Sequence, residues 1–180
     1  MQQADVVIEK VVYGGKGLSR DLQRVTFVPF TLPGEKVQIR IKHERRDYLE
    51  AEAISILEPS ADRVIPDCPY FGACGGCHLS HAKYDAQLRL KEQMLRESLQ
   101  RSKVSAPEIV VFPSKPFGSR HRVRLKYNAG AKALGFFEAE SNRIVDIREC
   151  LCATPGINRF IQAARTILSA NPVQIGRAHV

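Results

Sequence analysis

The sequence predicts an α+β fold in which a small OB-like β-barrel is followed by an α+β domain. Short β-rich runs separated by glycine and proline fill residues 5–57, a pattern typical of a small barrel. Helical periodicity follows later, over residues 80–100 and 155–170. We therefore place the barrel at residues 1–58 and the α+β domain at residues 59–173, and we treat residues 174–180 as a separate tail.

The barrel strands are predicted from alternation and from turn residues. Apolar and polar residues alternate over 36–42, so one face of this strand is expected to be buried and the other exposed. Gly14 and Gly15 permit a tight turn with positive φ. The other runs that we expect to form strands are 6–8, 11–13, 24–30 and 48–56.

The second domain is predicted to contain two helices and four strands. The first helix is expected to begin at Ser80 or His81, with Ser80 as the N-cap candidate, and to end near Gln100. The second helix is expected over residues 155–170. The apolar stripe of the first helix consists of Tyr84, Leu88, Leu95 and Leu99, with Met94 beside it. The strands are expected at 109–112, 120–127, 133–137 and 143–147.

The net charge of the chain points to a polyanionic partner. The formal net charge is +8 and the pI is near 9.4, so phosphate binding would be favoured.

The N-terminus lacks a basic stretch before an apolar core, and no apolar run approaches the roughly 20 residues that span a bilayer. We therefore expect a cytoplasmic monomer that has no membrane partner. Because cytosolic thiols stay reduced, its five cysteines are more typical of metal ligands than of disulfides.

Three of these cysteines form a compact motif. Cys68, Cys74 and Cys77 have the spacing C-x5-C-x2-C, and Cys150 is a distant fourth candidate. Four thiolates suit either an iron–sulfur cluster or tetrahedral zinc. Zinc sites more often pair two C-x2-C knuckles, and the second knuckle is missing here, so the spacing favours iron–sulfur. Glycines at 72, 75 and 76 would let backbone amides point at sulfur.

Two histidines lie beside the cysteine motif. His78 and His81 could support the ligands or replace one of them. We expect them instead to be ordinary residues of the surface or of the helix entry.

Nine basic residues are predicted to contact RNA. Residues 109–137 contain no acidic side chain, and four cations alternate along 120–126, which would place them on one strand face. Like charges on one face need a counter-ion, and RNA phosphate is the natural one in a basic chain. The alternatives are pairing with the acidic helix 85–97 or balancing the charge of a cluster. The candidates are Arg120, Arg122, Arg124 and Lys126 on this segment and Lys16, Arg40, Lys42, Arg45 and Arg46 on the barrel.

The ordered motifs resemble the RNA (uracil-5-)-methyltransferase family, in its iron–sulfur branch that acts on 23S ribosomal RNA. Residues 5–57 look like the N-terminal TRAM domain of that family. The cysteine loop with its following helix and the segment FGSRHRVRLKY are similar to later parts of it. The chain departs from the family pattern at Ser80, where glutamine is usual, and at Ser119, where an aromatic residue is common. The resemblance implies a [4Fe-4S] cluster bound by Cys68, Cys74, Cys77 and Cys150, with Cys152 left free.

The resemblance also implies a reaction. In this family a cysteine attacks C6 of a flipped-out uracil, C5 takes the methyl group of S-adenosylmethionine, and a base removes the C5 proton. These groups belong to a C-terminal domain, and no glycine-rich fingerprint of that domain follows the last cysteine, Cys152. The segment 175–180 matches the translation of a sequencing adapter. We therefore expect a chain that was cut before the catalytic domain and is inactive by itself.

Two other functions fit parts of the sequence. A free-standing RNA-binding protein could use the barrel, the basic segment and a structural metal without catalysis. Radical-SAM methylthiotransferases also combine a TRAM domain with iron–sulfur chemistry. They would require C-x3-C-x2-C and a C-terminal TRAM domain, whereas this chain has a C-x5-C-x2-C motif that follows the barrel.

Overall fold

A computed structural model describes residues 2–105 and 107–170. No helix within these residues is both long enough and apolar enough to cross a membrane. The prediction for the tail at 174–180 lies outside the described residues. The elements are β1 (Gln3–Val7), β2 (Lys10–Val11), β3 (Lys16–Ser19), β4 (Val25–Pro29), β5 (Lys36–Glu44), β6 (Tyr48–Glu58), α1 (Tyr84–Arg101), β7 (Lys126–Asn128), β8 (Ala133–Phe137), β9 (Ile144–Asp146) and α2 (Pro155–Ala170).

The chain forms two compact units. Unit 1 contains the described residues of Met1–Asp67 and His78–Pro113, and unit 2 those of Cys68–Cys77 and Ser114–Val180. The helix α1 therefore groups with the first sheet in space, although its sequence position lies after the predicted boundary at residue 58. The division into sequence domains at that boundary stays a prediction.

Unit 1 is built on a curled six-stranded sheet with the strand order β1-β5-β6-β4-β3-β2. Its strand pairs are antiparallel apart from β4 and β6, which are parallel. The alternation predicted for β5 is confirmed, because Val37 and Ile39 are fully buried beside Val6, Ile8 and Val28. The predicted barrel closes only in part. The described sheet is a half-barrel that has β1 at one edge and β2 at the other.

The helix α1 begins later than predicted. Lys83 is its N-cap and makes no capping hydrogen bond through its side chain, so the prediction of Ser80 as the cap is wrong. The turn before the helix buries Leu79 and Ala82. Because this turn is needed for packing, the helical conformation starts only at Tyr84.

The face that α1 buries also differs from the predicted stripe. Ala86 and Leu90 are buried, and Met94 packs against the same cluster, which includes Val11. Leu95, which we assigned to the apolar stripe, is 49% exposed. Small alanines bring the helix close to the sheet, and a search for large apolar side chains overlooks them. The residues buried in this second cluster of unit 1 are Val11, Leu32, Leu79, Ala82, Ala86 and Leu90.

Unit 2 contains the three-stranded sheet β7-β8-β9 and the helix α2. Gly135 lies at the pairing of β8 with β9, where an added Cβ would stand 1.9 Å from the Val145 carbonyl oxygen. Glycine therefore permits the strands to approach. The buried apolar residues of unit 2 include Leu134 on β8, Ile147 just after β9 and Ile161 on α2. The predictions of strands near 133–137 and 143–147 and of a helix over 155–170 are confirmed.

Two strand predictions are wrong. Residues 109–112 are not a strand, and there Val110 is 65% exposed and Phe112 is 84% exposed. Over 120–127 the described chain forms only an isolated bridge at Arg120 and then the start of β7 at Lys126. A strand depends on cross-strand partners as well as on its own pattern, and the described residues provide none for 121–125. The four cations of this segment therefore do not share one strand face.

Candidate metal centre and nucleic-acid interface

The cysteine loop of residues 68–77 is held against β8. The backbone N–H of Cys74 donates to the Tyr70 carbonyl at 2.8 Å, and that of Gly75 donates to the Phe137 carbonyl at 3.0 Å. A Cβ on Gly75 would stand 3.1 Å from the Phe137 oxygen, so a larger residue would push the loop and the strand apart by a few tenths of an ångström. The loop is thereby fixed to the sheet on the side that carries Cys74.

The fourth candidate, Cys150, is fixed by the helix that follows it. Its N–H donates to Oδ1 of Asn158 at 2.9 Å, and its carbonyl accepts from Nδ2 of the same side chain at 3.1 Å. The Cys150 carbonyl also accepts from the Ala153 N–H at 3.0 Å. Nearby, the N–H of Arg148 donates to the Tyr70 hydroxyl of the cysteine loop at 3.0 Å. The loop and the Cys150 segment are thus connected directly.

The cysteine side chains of unit 2 converge. Burial raises the pKa of Cys68 and of Cys74, and negative charge on Cys77 and Cys150 raises both further. Cys77 and Cys152 lie 3.6 Å apart, sulfur to sulfur. The three cysteines of the loop and the remote Cys150, which were predicted to act together, are therefore neighbours in space. Cys152, which we expected to stay free, lies among them.

The remote pair of cysteines is asymmetric. A hydrogen bond from the Cys152 thiol, with those from the Ala153 and Cys152 amides, lowers the pKa of Cys150 to about 6, and Arg120 adds to this effect. The same contact with Cys150, together with the contact to Cys77, raises the pKa of Cys152. Cys150 is therefore the better thiolate of the two.

The surroundings of the sulfurs fit an iron–sulfur cluster. Nearby backbone amides lower the thiol pKa at three of the predicted ligands: those of Tyr70 and Phe71 at Cys68, that of Gly76 at Cys74, and those of Cys152 and Ala153 at Cys150. Amide hydrogen bonds of this kind stabilise thiolate ligands and tune a cluster. Buried thiolates that repel one another would also be stabilised by positive metal.

A site for a single ion is not evident. No group of three or more histidine, cysteine, aspartate or glutamate side chains among residues 2–105 and 107–170 is arranged to hold one metal ion. The ligand set of Cys68, Cys74, Cys77 and Cys150, and the preference for iron–sulfur over zinc, therefore stay predictions.

Arg120 lies within this site. Its Nη2 donates to the Gly76 carbonyl at 2.8 Å, and its backbone N–H donates to the Cys152 carbonyl at 2.8 Å. Its own carbonyl accepts from the Thr154 N–H at 3.0 Å. Arg120 therefore joins the cysteine loop to the Cys150–Cys152 segment. The alternative in which it balances the charge of a cluster stays a prediction.

The other cations of the basic segment have separate environments. Arg122 and Arg124 are exposed, and neither forms an ion pair with a described acidic residue. The Nζ of Lys126 lies 5.0 Å from the centre of the Phe137 ring, a cation–π contact. Of the four predicted cations, Arg122 and Arg124 are therefore the two for which the described residues show no side-chain hydrogen bond, ion pair or ring contact.

The candidates on the first sheet are mostly paired with acids. Arg40 and Lys42 contact the two carboxylate oxygens of Glu52 at 3.0 and 3.3 Å. Arg45 lies 3.9 Å from Glu50. Such exposed pairs are weak, so phosphate could still displace the acid. The remaining two candidates of this sheet are Arg46, which is exposed, and Lys16, which is half-buried on β3.

A buried polar cluster in unit 1 was missed by the sequence reading. Glu35 is completely buried, and its carboxylate accepts from Nε and Nη2 of Arg63 and from the N–H groups of Leu32 and Ser60. Burial alone would raise the pKa of Glu35, but these hydrogen bonds hold it below its ordinary value.

His81 lies beside this pair, in the turn that enters α1, and is 1% exposed. The expectation of a helix-entry residue therefore holds for it, and the expectation of a surface residue does not. Its ring meets the Phe30 ring edge to face at 6.3 Å. Burial, together with the charge of Arg63, lowers its pKa to about 4. The neighbouring His78 is exposed. The sequence around His81 did not predict that its side chain is buried, because the residues that contact it come from distant parts of the chain.

Comparison with known proteins identifies the first sheet. Residues 2–54 match the family model of the TRAM domain. This confirms the TRAM-like assignment made from the sequence.

Similarity to curated proteins extends beyond that domain. The chain is 38% identical over 165 residues to a protein of Aquifex aeolicus named as an uncharacterized RNA methyltransferase, covering 91% of this chain and 39% of that protein. It is 34% identical to the 23S rRNA (uracil(1939)-C(5))-methyltransferase RlmD of Chromohalobacter salexigens, covering 89% of this chain and 35% of that protein. The chain thus spans less than two fifths of the length of these relatives.

A solved structure shows a related fold. The tRNA (uracil-54, C5)-methyltransferase of Pyrococcus abyssi, determined with S-adenosyl-L-homocysteine, matches with a TM-score of 0.66 and 27% identity. The match covers 92% of this chain and 37% of that one.

Proposed function

We propose that this chain is the RNA-binding and cysteine-containing part of a cytoplasmic, S-adenosylmethionine-dependent RNA (uracil-C5)-methyltransferase. The observation that carries the proposal is similarity over about nine tenths of the chain to proteins named as RNA methyltransferases. That similarity extends past the TRAM domain and through the cysteine residues. A stand-alone RNA-binding protein remains the second candidate, because the TRAM match alone would suit it equally well.

The cysteine site would have a structural role in this enzyme. We propose that Cys68, Cys74, Cys77 and Cys150 hold a [4Fe-4S] cluster, whose four iron–thiolate bonds would tie the loop to the segment that follows β9. Methyl transfer from S-adenosylmethionine is not a redox step, so the cluster need not exchange electrons. Arg120 and the amides around the sulfurs would stabilise the thiolates.

Arg46, Arg122 and Arg124 are the strongest candidates for contact with RNA phosphate. All three are exposed, and among the described residues none has an ion-pair partner. By contrast, Arg96 and Arg101 on α1 pair with glutamates four residues earlier in the helix. A phosphate would therefore find unoccupied guanidinium groups at the first three positions.

The RNA-binding part of the proposal can be tested with the 180-residue chain. We expect Arg122→Ala with Arg124→Ala to weaken binding to a 23S rRNA fragment by about tenfold at moderate salt. The slope of log affinity against log salt should also fall by about 1 to 2, because up to two phosphate contacts are lost. Fluorescence anisotropy over a salt series measures both quantities.

The matched control removes the same charge from another place. Arg96→Ala with Arg101→Ala also lowers the net charge by two but removes arginines that pair with Glu92 and Glu97. Equal weakening by both double variants would mean that only net charge matters, and the assignment of Arg122 and Arg124 would be abandoned.

The target is proposed to be 23S rRNA. Relatives at 34% and 36% identity are named as 23S rRNA methyltransferases, whereas the structural match is a tRNA methyltransferase.

Tritium release from C5-labelled uridine measures which RNA is modified by the gene product that contains this chain. We expect release from 23S rRNA in the presence of S-adenosylmethionine. Release from tRNA alone would favour the other target, and no release from either would support the RNA-binding protein. We expect the 180 residues alone to bind RNA without methylating it.

A further inference from the structure

One face of α2 holds the segment that leads from β9 to Cys150. Asn158, Gln162 and Arg165 are spaced by four and three residues, so their side chains lie on the same face of the helix. Each of them contacts backbone or side-chain atoms between Asp146 and Cys150. One helix face thus makes polar contacts along the whole segment from Asp146 to Cys150.

Arg165 anchors the start of this segment. Its guanidinium forms two hydrogen bonds with the Asp146 carboxylate, at 2.5 and 2.8 Å, and a third with the Ile147 carbonyl at 2.9 Å. Asp146 accepts in turn from the backbone N–H of Leu134 at 2.9 Å. Helix, β9 and β8 are thereby joined through one carboxylate.

Gln162 and Asn158 continue the contact towards the cysteine. Nε2 of Gln162 donates to the Arg148 carbonyl at 2.6 Å. Asn158 then engages both the N–H and the carbonyl of Cys150 with one carboxamide, as a neighbouring β-strand would. This pair of hydrogen bonds restrains both backbone dihedrals of Cys150, and the backbone sets the direction of its Cα–Cβ bond.

We propose that Asn158 is a positioning residue that presets the Cys150 thiolate before any metal binds. The inference rests on the proposed cluster, because preorganisation matters only if Cys150 is a ligand. Gln162 and Arg165 would support Asn158 by fixing the approach of the same segment to α2. A Cys150 that is already held in place would not have to lose conformational freedom when the cluster assembles.

The test compares Asn158→Ala with Arg159→Ala in the 180-residue chain. Arg159 is the next residue on α2 and is exposed, so its loss should leave the Cys150 segment intact. In metal-free protein we expect the Cys150 amide of Asn158→Ala to exchange with solvent about tenfold faster than in the parent. This is the effect of losing one to two hydrogen bonds. Residue-resolved NMR measures this rate.

The second readout is the cluster itself, after anaerobic reconstitution with iron and sulfide. We expect Asn158→Ala to retain a smaller fraction of cluster than the parent and Arg159→Ala, and to lose it several-fold faster to a chelator, as followed by visible absorbance. If Asn158→Ala unfolds unit 2, Asn158→Asp keeps the oxygen that accepts from Cys150 and should give an intermediate result.

The outcomes separate the two proposals. Failure of the parent to bind iron would contradict the proposed cluster. The exchange rates in metal-free protein would still test whether Asn158 restrains the Cys150 backbone. Unchanged exchange at Cys150 in the Asn158 variants would overturn the positioning role. So would a cluster that forms and persists as in the parent, even if the melting temperature falls.

Discussion

Glu35 and Arg63 form an ion pair whose acid is completely buried, with the arginine side chain 23% exposed. The carboxylate also accepts from two backbone N–H groups, one of them in the segment after β6. Burying a charge is costly unless it is paired and hydrogen-bonded, and Glu35 meets both conditions. At the scale of single residues, this pair is one of the contacts that attach the segment after β6 to the rest of unit 1.

Replacing Glu35 with glutamine should destabilise unit 1. The variant removes the negative charge that pairs with Arg63. It also replaces one carboxylate oxygen, a hydrogen-bond acceptor, by an NH2 group that would face other donors. We therefore expect the free energy of unfolding to fall by about 2–4 kcal/mol. Urea denaturation followed by far-ultraviolet circular dichroism measures the change. Glu92→Gln, which breaks the exposed pair with Arg96, is the control and should change it by about 0.5 kcal/mol or less. Similar effects of the two variants would show that the buried pair has no special importance.

His81 should make stability depend on pH. Its pKa in the folded state is about 4, below the value of about 6.5 for an unfolded chain. The unfolded state therefore binds the proton first, and stability that is complete above pH 6.5 falls as the pH drops towards 4. The loss amounts to about 3 kcal/mol across that window.

The variant His81→Gln cannot titrate and should lose this dependence, as denaturation curves at several pH values would show. His43→Gln removes an exposed histidine and should keep the parental slope. A parental slope in His81→Gln would mean that another group is responsible. The low pKa of Glu35 adds a separate loss at lower pH, where its carboxylate becomes protonated.

At the scale of elements, the turn between β2 and β3 illustrates what a glycine pair can do. Gly14 and Gly15 both have positive φ, at 91° and 79°. A Cβ on Gly14 would meet no atom within 4 Å, whereas a Cβ on Gly15 would lie 2.4 Å from the Cβ of His78. Both glycines therefore need a backbone with positive φ, but only Gly15 also packs closely against another residue.

Alanine substitutions at these two positions should separate the two effects. We expect Gly14→Ala to lower the free energy of unfolding by about 1 kcal/mol, which is the cost of an alanine in the left-handed region. Gly15→Ala should cost at least 1 kcal/mol more, because its methyl group would overlap His78. Thermal or urea unfolding measures both. Equal effects would mean that the turn does not pack on His78 as described.

Sequence reasoning at this scale succeeded where a pattern is local. The alternation in β5 identified Val37 and Ile39 as buried, and the periodicity of 155–170 identified α2. It failed where partners are remote. The pattern of 120–127 is strand-like, but the described chain supplies no neighbouring strand for 121–125.

The candidate site was predictable to a similar degree. The spacing of Cys68, Cys74 and Cys77 implied a loop around one centre, and the structure brings Cys150 to it. The roles of Asn158 and Arg120 could not be predicted, because an asparagine in a helix and an arginine in a basic run look like solvated residues. Their contacts depend on how α2 and the cysteine loop fold back within unit 2.

At the scale of the whole molecule, each compact unit has its own kind of site. Unit 1 contains the sheet that matches the TRAM domain, with paired cations on its strands. Unit 2 contains all five cysteines and the unpaired Arg122 and Arg124. The two units would therefore respond differently to the loss of a metal centre, with unit 2 losing order and unit 1 keeping its sheet.

This difference predicts the outcome of removing one ligand. We expect Cys74→Ser to increase amide exchange within unit 2 and to leave the sheet of unit 1 protected, since the sulfur site lies wholly in unit 2. Hydrogen exchange with mass spectrometry resolves the two units. Equal loss of protection in both would contradict the assignment of a local structural centre.

The central claim is that four thiolates of unit 2 bind an iron–sulfur cluster. Iron and acid-labile sulfide, determined on anaerobically purified protein together with its visible spectrum, test it most directly. We expect about four irons and four sulfides per chain and a brown protein that absorbs near 400 nm. A colourless protein with one tightly bound zinc, or with no metal, would contradict the claim.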